Sequence, residues 1–285
     1  MRPVKCAFRA LACALLAFIA CAPSASAQQA AKDEDSLFNQ DFVVNIGGFL
    51  VGSDTEVRID GSTGRGTEFD FESELDTGGD SLRLRADFLW RITPRNHIRG
   101  LWFSTSRDGH RTLQRDIKWR DLTFHAGTEA EARTRYDIFE GAYEYAFVHS
   151  DKAEVAAGIG IHYVGLDLEI EADATDAMGN PVTAAIETAE VKGPFPVVGI
   201  RGAWRFGESW YFNVQAQILP INFSGYDGLI HDYRLDVSWM ANRHFGLGAG
   251  YNLFIVDVDA DNADDLTGRV RWGYDGILGY VTFAF

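Results

Sequence analysis

Residues 81–92 (SLRLRADFLWRI) set the tightest limit on what this chain can become. Leu82, Leu84, Ala86, Phe88, Trp90 and Ile92 alternate with Ser81, Arg83, Arg85, Asp87 and Arg91, and only Leu89 breaks the scheme. A period of two belongs to a β-strand, whose successive side chains point to opposite faces. This strand therefore has one apolar face and one ionic face. Residues 210–221 repeat it, with Trp210, Phe212, Val214, Ala216 and Ile218 against Tyr211, Asn213, Gln215 and Gln217. So do residues 230–239, where His231, Tyr233, Leu235, Val237 and Trp239 oppose Asp232, Arg234, Asp236 and Ser238.

Alternation alone does not say which face looks outward; quantity does. Turned inward, the apolar faces would crowd many aromatic rings into a lumen that is only just wide enough for side chains in a small barrel. Turned outward, they suit lipid, and the lumen receives Arg83, Arg85, Asp87, Arg91, Glu140, Glu144, Glu154, Arg201, Arg205, Arg234 and Asp236. Charges of both signs shut away from bulk water have to be matched, so a paired internal lattice is expected. One strand resists: in residues 97–106 neither face is clean, and a bulge resetting the register is the expected cause.

The connections fall into two kinds. Turns at 93–96, 149–152, 207–209 and 241–243 are short and polar, whereas those around 54–80, 107–131, 171–190, 222–229 and 258–268 are longer and charged. Short turns at one end and long loops at the other predict an all-β, antiparallel, up-and-down transmembrane barrel. About ten strands fit between them; eight is the alternative. Trp90, Tyr145, Phe147, Trp204, Phe206, Trp210, Phe212, Trp239, Phe245 and Phe283 crowd near the short turns as an interfacial girdle would, and Tyr163, Tyr233, Tyr251 and Trp272 are expected to mark the other interface. A soluble sandwich is the competing fold.

The first residues read as a secretory leader. Arg2, Lys5 and Arg9 precede the apolar run 10–22, and Ala25-Ser26-Ala27 offers a cleavage site, which predicts a signal peptide over 1–27, a flexible lead-in over 28–40 and a barrel domain over 41–285. Residues 18–21 loosely resemble a lipoprotein box ending at Cys21, a rival processing route. Cys6, Cys13 and Cys21 all lie in the leader, so the expected mature chain has no disulfide, thiol nucleophile or cysteine metal site. Its charge is 23 Lys+Arg (26 less three) against 41 Asp+Glu, or −18, which argues against nucleic acid as a partner. No cofactor is expected.

The chain resembles the small outer-membrane barrels of Gram-negative bacteria, the OmpA/OmpX/OmpW-like group. The likeness rests on the leader, the terminal Tyr280-Val281-Thr282-Phe283-Ala284-Phe285, and the glycine-rich strands at 156–161 and 245–251. It implies residence in the outer membrane after export, contact with its lipids and lipopolysaccharide, and insertion by the barrel-assembly machinery through a carboxyl-terminal signal at Tyr280, Val281, Phe283 and Phe285. It implies no activity, because such barrels host many functions.

Chemistry is sparse. A barrel lipase or deacylase needs a serine and histidine together, and no such motif occurs. A barrel protease of the omptin type would place acids and a histidine near the outer rim; His231-Asp232 with Asp227, and His162 with Asp167, come nearest, and His231 falls on the apolar face. Residues 257–262 (DVDADN) resemble the start of a calcium loop, but Asn262 and Gly268 stand where glycine and glutamate belong. With Glu68, Asp70, Glu72, Glu74, Asp76 and Asp80 they form acidic loops that could hold divalent cations beside lipopolysaccharide. The expected role is a non-enzymatic, monomeric envelope barrel with at most limited passage of small solutes; a narrow pore for one ligand and a barrel hydrolase are the alternatives.

Overall fold

The structure, a computed structural model, describes residues 36–62, 64–223, 225–263 and 266–285. The expected leader, its cysteines and most of the lead-in lie outside the described residues. After a short 3-10 turn at Leu37–Asn39, the chain runs through β1 (Phe42–Ile59), β2 (Phe69–Asp70), β3 (Ser81–Thr93), β4 (Asn96–Thr112), β5 (Ile117–Trp119) and β6 (Leu122–Phe124). It continues through β7 (Glu129–His149), β8 (Ala153–Thr175), β9 (Pro181–Phe206), β10 (Trp210–Phe223), β11 (Tyr226–Met240), β12 (Phe245–Ala263) and β13 (Leu266–Ala284). A single-turn helix, α1 (Phe71–Glu74), follows β2.

Ten of these strands close into an antiparallel ring in the order β8-β7-β4-β3-β1-β13-β12-β11-β10-β9, and β9 pairs back onto β8. The seam between β1 and β13 runs unbroken from Val43↔Ala284 to Ile59↔Gly268. β2, β5 and β6 stand outside the ring, with β2 on β1 and β6 on β8. No described helix is long and apolar enough to cross a membrane.

The short turns are built from local caps. Thr93 Oγ1 accepts the Asn96 N–H at 3.0 Å, Asn242 Oδ1 accepts the His244 and Phe245 N–H groups at 2.9 and 3.0 Å, and Gly207 takes the left-handed φ of 70° that its turn requires.

At the opposite end the structure corrects the sequence reading. Most of the expected loops are strand: β4 extends to Thr112, β8 to Thr175, β12 to Ala263, and β9 already begins at Pro181. The physical reason shows along β7. Near the short turns its outward side chains are Phe139, Tyr143, Tyr145 and Phe147, and its inward ones include Glu140 and Glu144. Toward the loop end the same two faces exchange character, with Glu129, Glu131 and Arg133 outward and Ala130, Ala132, Tyr136 and Ile138 buried inside. β8 does the same: Ile159, Ile161 and Tyr163 give way outside to Asp167 and Glu169, while Val164, Leu166, Leu168 and Ile170 fill the interior. The pleat runs on while the chemistry inverts, as expected where the surroundings change from lipid to water. Charge-rich stretches of this kind resemble loops in sequence because their charges are conspicuous and the alternating apolar partners are short.

β4 is corrected too. Its ladder with β7 runs from Asn96↔Tyr145 to Thr112↔Glu129 with no break, so no bulge resets it. His97, Arg99, Leu101, Phe103, Thr105 and Arg107 all face inward. The mixed pattern arises because Leu101 and Phe103 belong to an apolar storey inside the barrel.

Candidate functional site

The lumen is filled in storeys. At the turn end, residues 36–40 cap the mouth: the Leu37 N–H donates to Tyr211 Oη at 2.9 Å, and Arg91 Nη1 donates to the Leu37 and Gln40 carbonyls at 3.2 and 2.9 Å. Phe38 meets the Tyr211 ring edge-on at 5.4 Å. Behind the cap lies a cavity of about 90 Å³ of mixed lining, large enough for several waters.

The next storey is ionic. Arg91 pairs with Glu154 at 3.1 Å, and Arg201 reaches both Glu154 and Glu144 at 2.8 Å. Arg99 bridges Glu144 at 2.8 Å and Glu140 at 2.5 Å. Arg85 contacts Asp87 at 3.2 Å, and Arg234 contacts Asp87 at 2.8 Å and Asp236 at 3.0 Å. Arg91–Glu154 and Arg234–Asp87 join strands that are not neighbours in the ring and brace it through the lumen, while the other pairs lie within one strand or between near neighbours. Dry charges without partners would cost several kcal/mol each, which is why the guanidiniums are shared. Among these described groups Asp232 has no guanidinium partner. Its Oδ1 instead accepts from Asn252 Nδ2 at 2.6 Å, and its Oδ2 stands 3.9 Å from His162 Nε2.

Above the ions lies an aromatic storey that sequence reasoning missed. Phe49, Phe103, Tyr136, Phe254, Trp272 and Tyr274 pack ring on ring, with Phe103 and Tyr274 centroids 4.9 Å apart and Phe254 stacked on Tyr274 at 4.9 Å. Arg85 ties the two storeys together, its guanidinium over Phe49 at 5.2 Å. Trp272, expected at an interface, is instead 1% exposed within this plug. An apolar storey follows, in which Phe69 stacks on Phe71 at 5.2 Å and Trp119 closes over both.

The residues singled out from sequence distribute as follows. Arg85, Asp87, Arg91, Glu140, Glu144, Arg201, Arg234 and Asp236 meet in the ionic storey, together with Glu154. Arg83 lies higher and donates to Thr105 Oγ1 at 2.7 Å and the Ser106 carbonyl at 2.8 Å. Arg205 sits at the turn-end mouth, donating to the Glu208 carbonyl at 2.6 Å with its guanidinium over Tyr211. Of the terminal residues, Phe283 and Phe285 face outward, whereas Tyr280 points into the lumen and donates to Asp236 Oδ1 at 2.5 Å. Arg99, Asp232 and His162 belong to the interior set by the same strand parity; their alternation with outward neighbours was the available signal.

Neither omptin-like pairing forms. His231 stacks on Tyr233 at the outer surface, and Asp167 lies outside, paired with Lys192 at 2.7 Å. His162 is buried instead, against Phe254 at 5.7 Å, and it meets Asp232 from the other pairing as well as Glu140. The calcium-like run is part of β12, where Asp257 holds Arg269 through two oxygens at 2.9 Å. Of the acidic rim, Glu74 pairs with Arg115 and Glu72 accepts from Ser53 and Thr55. Asp54, Asp70 and Glu72 bring carboxylate oxygens within 4.8 Å of one another.

No protein-family model matches the sequence, and no curated protein matches it. Among solved structures, the outer membrane protease OmpT from Escherichia coli superposes with a TM-score of 0.61 at 9% identity, covering 92% of this chain and 100% of that one. The toluene transporter TodX from Pseudomonas putida aligns over 92% of this chain and 94% of its own, with a TM-score of 0.37 and 9% identity. The likeness to OmpT establishes the fold, a closed barrel of the outer-membrane type, and carries no activity at this identity.

Proposed function

We propose that the protein is a non-enzymatic, monomeric barrel of the bacterial outer membrane, with a structural or surface role and a lumen closed to solutes. The carrying observation is the threefold obstruction of the interior, by the cap at 36–40, the ion lattice and the aromatic plug. The exchange of polar and apolar faces along β7 and β8 supports a lipid-facing band around the turn-end half and charged hairpins in water beyond it. Lipids and lipopolysaccharide are its immediate neighbours in this reading. The barrel-assembly machinery engages the outward side of β13, at Val281, Phe283 and Phe285. The tie to the OmpA/OmpX/OmpW-like group is architectural, since ten strands exceed the eight of the smallest such barrels.

Single-channel recording of the purified protein in planar bilayers tests the closed lumen. Silence is the expected result. Stable, solute-dependent conductance would overturn it in favour of a narrow pore, for which the cavity of about 90 Å³ behind the cap is the starting volume.

A further inference from the structure

We propose that Glu140, His162 and Asp232 form an internal binding site for one divalent transition-metal ion of the zinc class. The three residues come from β7, β8 and β11, and all are buried. One atom from each lies within 4.8 Å of the other two. Glu140 Oε1 is fully engaged, accepting from Arg99 at 2.5 Å and from Gln217 Nε2 at 2.6 Å. Its Oε2 receives no hydrogen bond and has no exposure to water. That oxygen lies 3.3 Å from His162 Nε2, and Asp232 Oδ2 approaches the same nitrogen at 3.9 Å.

The 3.3 Å separation of Glu140 and His162 matches two donors on a shared ion, and Asp232 Oδ2 needs to close by about half an ångström to join them. Bonds of about 2.0–2.2 Å in a tetrahedral zinc site put neighbouring donor atoms roughly 3.4 Å apart. A fourth donor is at hand, because Gln217 Oε1 lies 2.7 Å from His162 Nε2. One imidazole nitrogen with carboxylate oxygens suits a borderline ion such as Zn²⁺, whereas Ca²⁺ and Mg²⁺ favour all-oxygen shells with more ligands. With the ion on Nε2, the proton moves to Nδ1, which has no partner. The ring is held by stacking on Phe254 at 5.7 Å and 12° instead of by a hydrogen bond. An ion here links β7 and β8 to β11 on the far wall, and it offsets the charge of Asp232, which forms no ion pair with an arginine among the described residues. With the aromatic storey packed above it and the ion lattice below, the ion exchanges slowly once the barrel has closed.

The test is metal content. The full chain is refolded into detergent with Zn²⁺, stripped with EDTA, desalted and analysed by mass spectrometry, and heat-modifiable migration confirms that the barrel is folded. The expected result is ~1 zinc per folded chain, retained against EDTA, and a several-fold loss in His162→Gln. Refolding with Co²⁺ is expected to give the strong visible absorption of a tetrahedral ion. Folded wild-type protein that holds no zinc, or no more than His162→Gln, overturns the proposal; His162 then holds a proton between the two carboxylates. Should His162→Gln fail to fold, wild-type zinc content and the cobalt spectrum decide the matter alone.

Discussion

The ring of Tyr280 lies across Gly248 of the neighbouring strand, so closely that a Cβ on Gly248 would come 2.2 Å from the ring's Cζ. This glycine leaves room for an aromatic whose hydroxyl then reaches Asp236 and whose face covers the Arg234 guanidinium at 5.8 Å. Gly248→Val is expected to displace the ring and cost roughly 2–4 kcal/mol, from overpacking together with a lost charge-assisted hydrogen bond. Tyr280→Phe keeps the ring and should cost less, about 1–3 kcal/mol. Urea titrations followed by the shift between folded and unfolded gel bands measure both; equal losses would show that the glycine contact plays no part.

Arg201 serves two buried carboxylates, Glu144 and Glu154, which it shares with Arg99 and Arg91. Arg201→Met is expected to destabilise the barrel by about 3–5 kcal/mol, and Glu154→Gln added to it should restore part of that loss. The equally short pair Arg133–Asp108, at 2.8 Å, is 62% and 73% exposed, so Arg133→Ala should cost far less. Similar losses for the two arginines would contradict the internal lattice.

Phe139 and Glu129 lie on the same outward face of β7, one in the apolar band and one in the charged extension. Phe139→Arg should cost ~2–4 kcal/mol in a bilayer, while Glu129→Arg should stay within about 0.5 kcal/mol. Both are read from unfolding in lipid vesicles. A harmless arginine at position 139 would place the membrane boundary elsewhere.

Asp54 stands beyond the lipid-facing band, where burial first, then a hydrogen bond that its protonated carboxyl donates to Asp70 and the charges of Asp70 and Glu72, push that carboxyl up to about 6. A raised acid holds its proton more tightly in the folded form, so this contribution to stability is full below the ordinary carboxylate range and is lost as pH rises through about 6. The loop end should therefore resist proteolysis better in mild acid than at neutral pH, and Asp54→Asn should flatten that difference. A carboxyl titration with its midpoint in the ordinary range would sink the prediction.

The ring of strands was legible because four short polar turns punctuate an alternating chain, and side-chain parity alone sends Arg85, Asp87, Glu144 and Arg234 to the lumen. The extended hairpins were not legible. Their charges resemble those of loops, and only the small inward residues between them, such as Ala130 and Ala132, give the strand away. Leu101, Phe103 and Trp272 misled for a related reason: a rule that sends every apolar side chain to lipid holds only at membrane depth. The Glu140–His162–Asp232 cluster was not legible as a unit, because Asp232 on β11 meets the adjacent Glu140 and His162 of β7 and β8 only through the lumen. Pairing His162 with Asp167, close in sequence, chose residues on opposite faces of one strand.

The exchange of faces along β7 and β8 fixes a waterline on the molecule. A bilayer thicker than the greasy belt would have to draw Asp167 and Glu169 into hydrocarbon, and a thinner one would leave Ile159 or Phe139 wet. The barrel thus carries its own depth gauge, and its comfort in a given membrane depends on hydrocarbon thickness as much as on lipid charge.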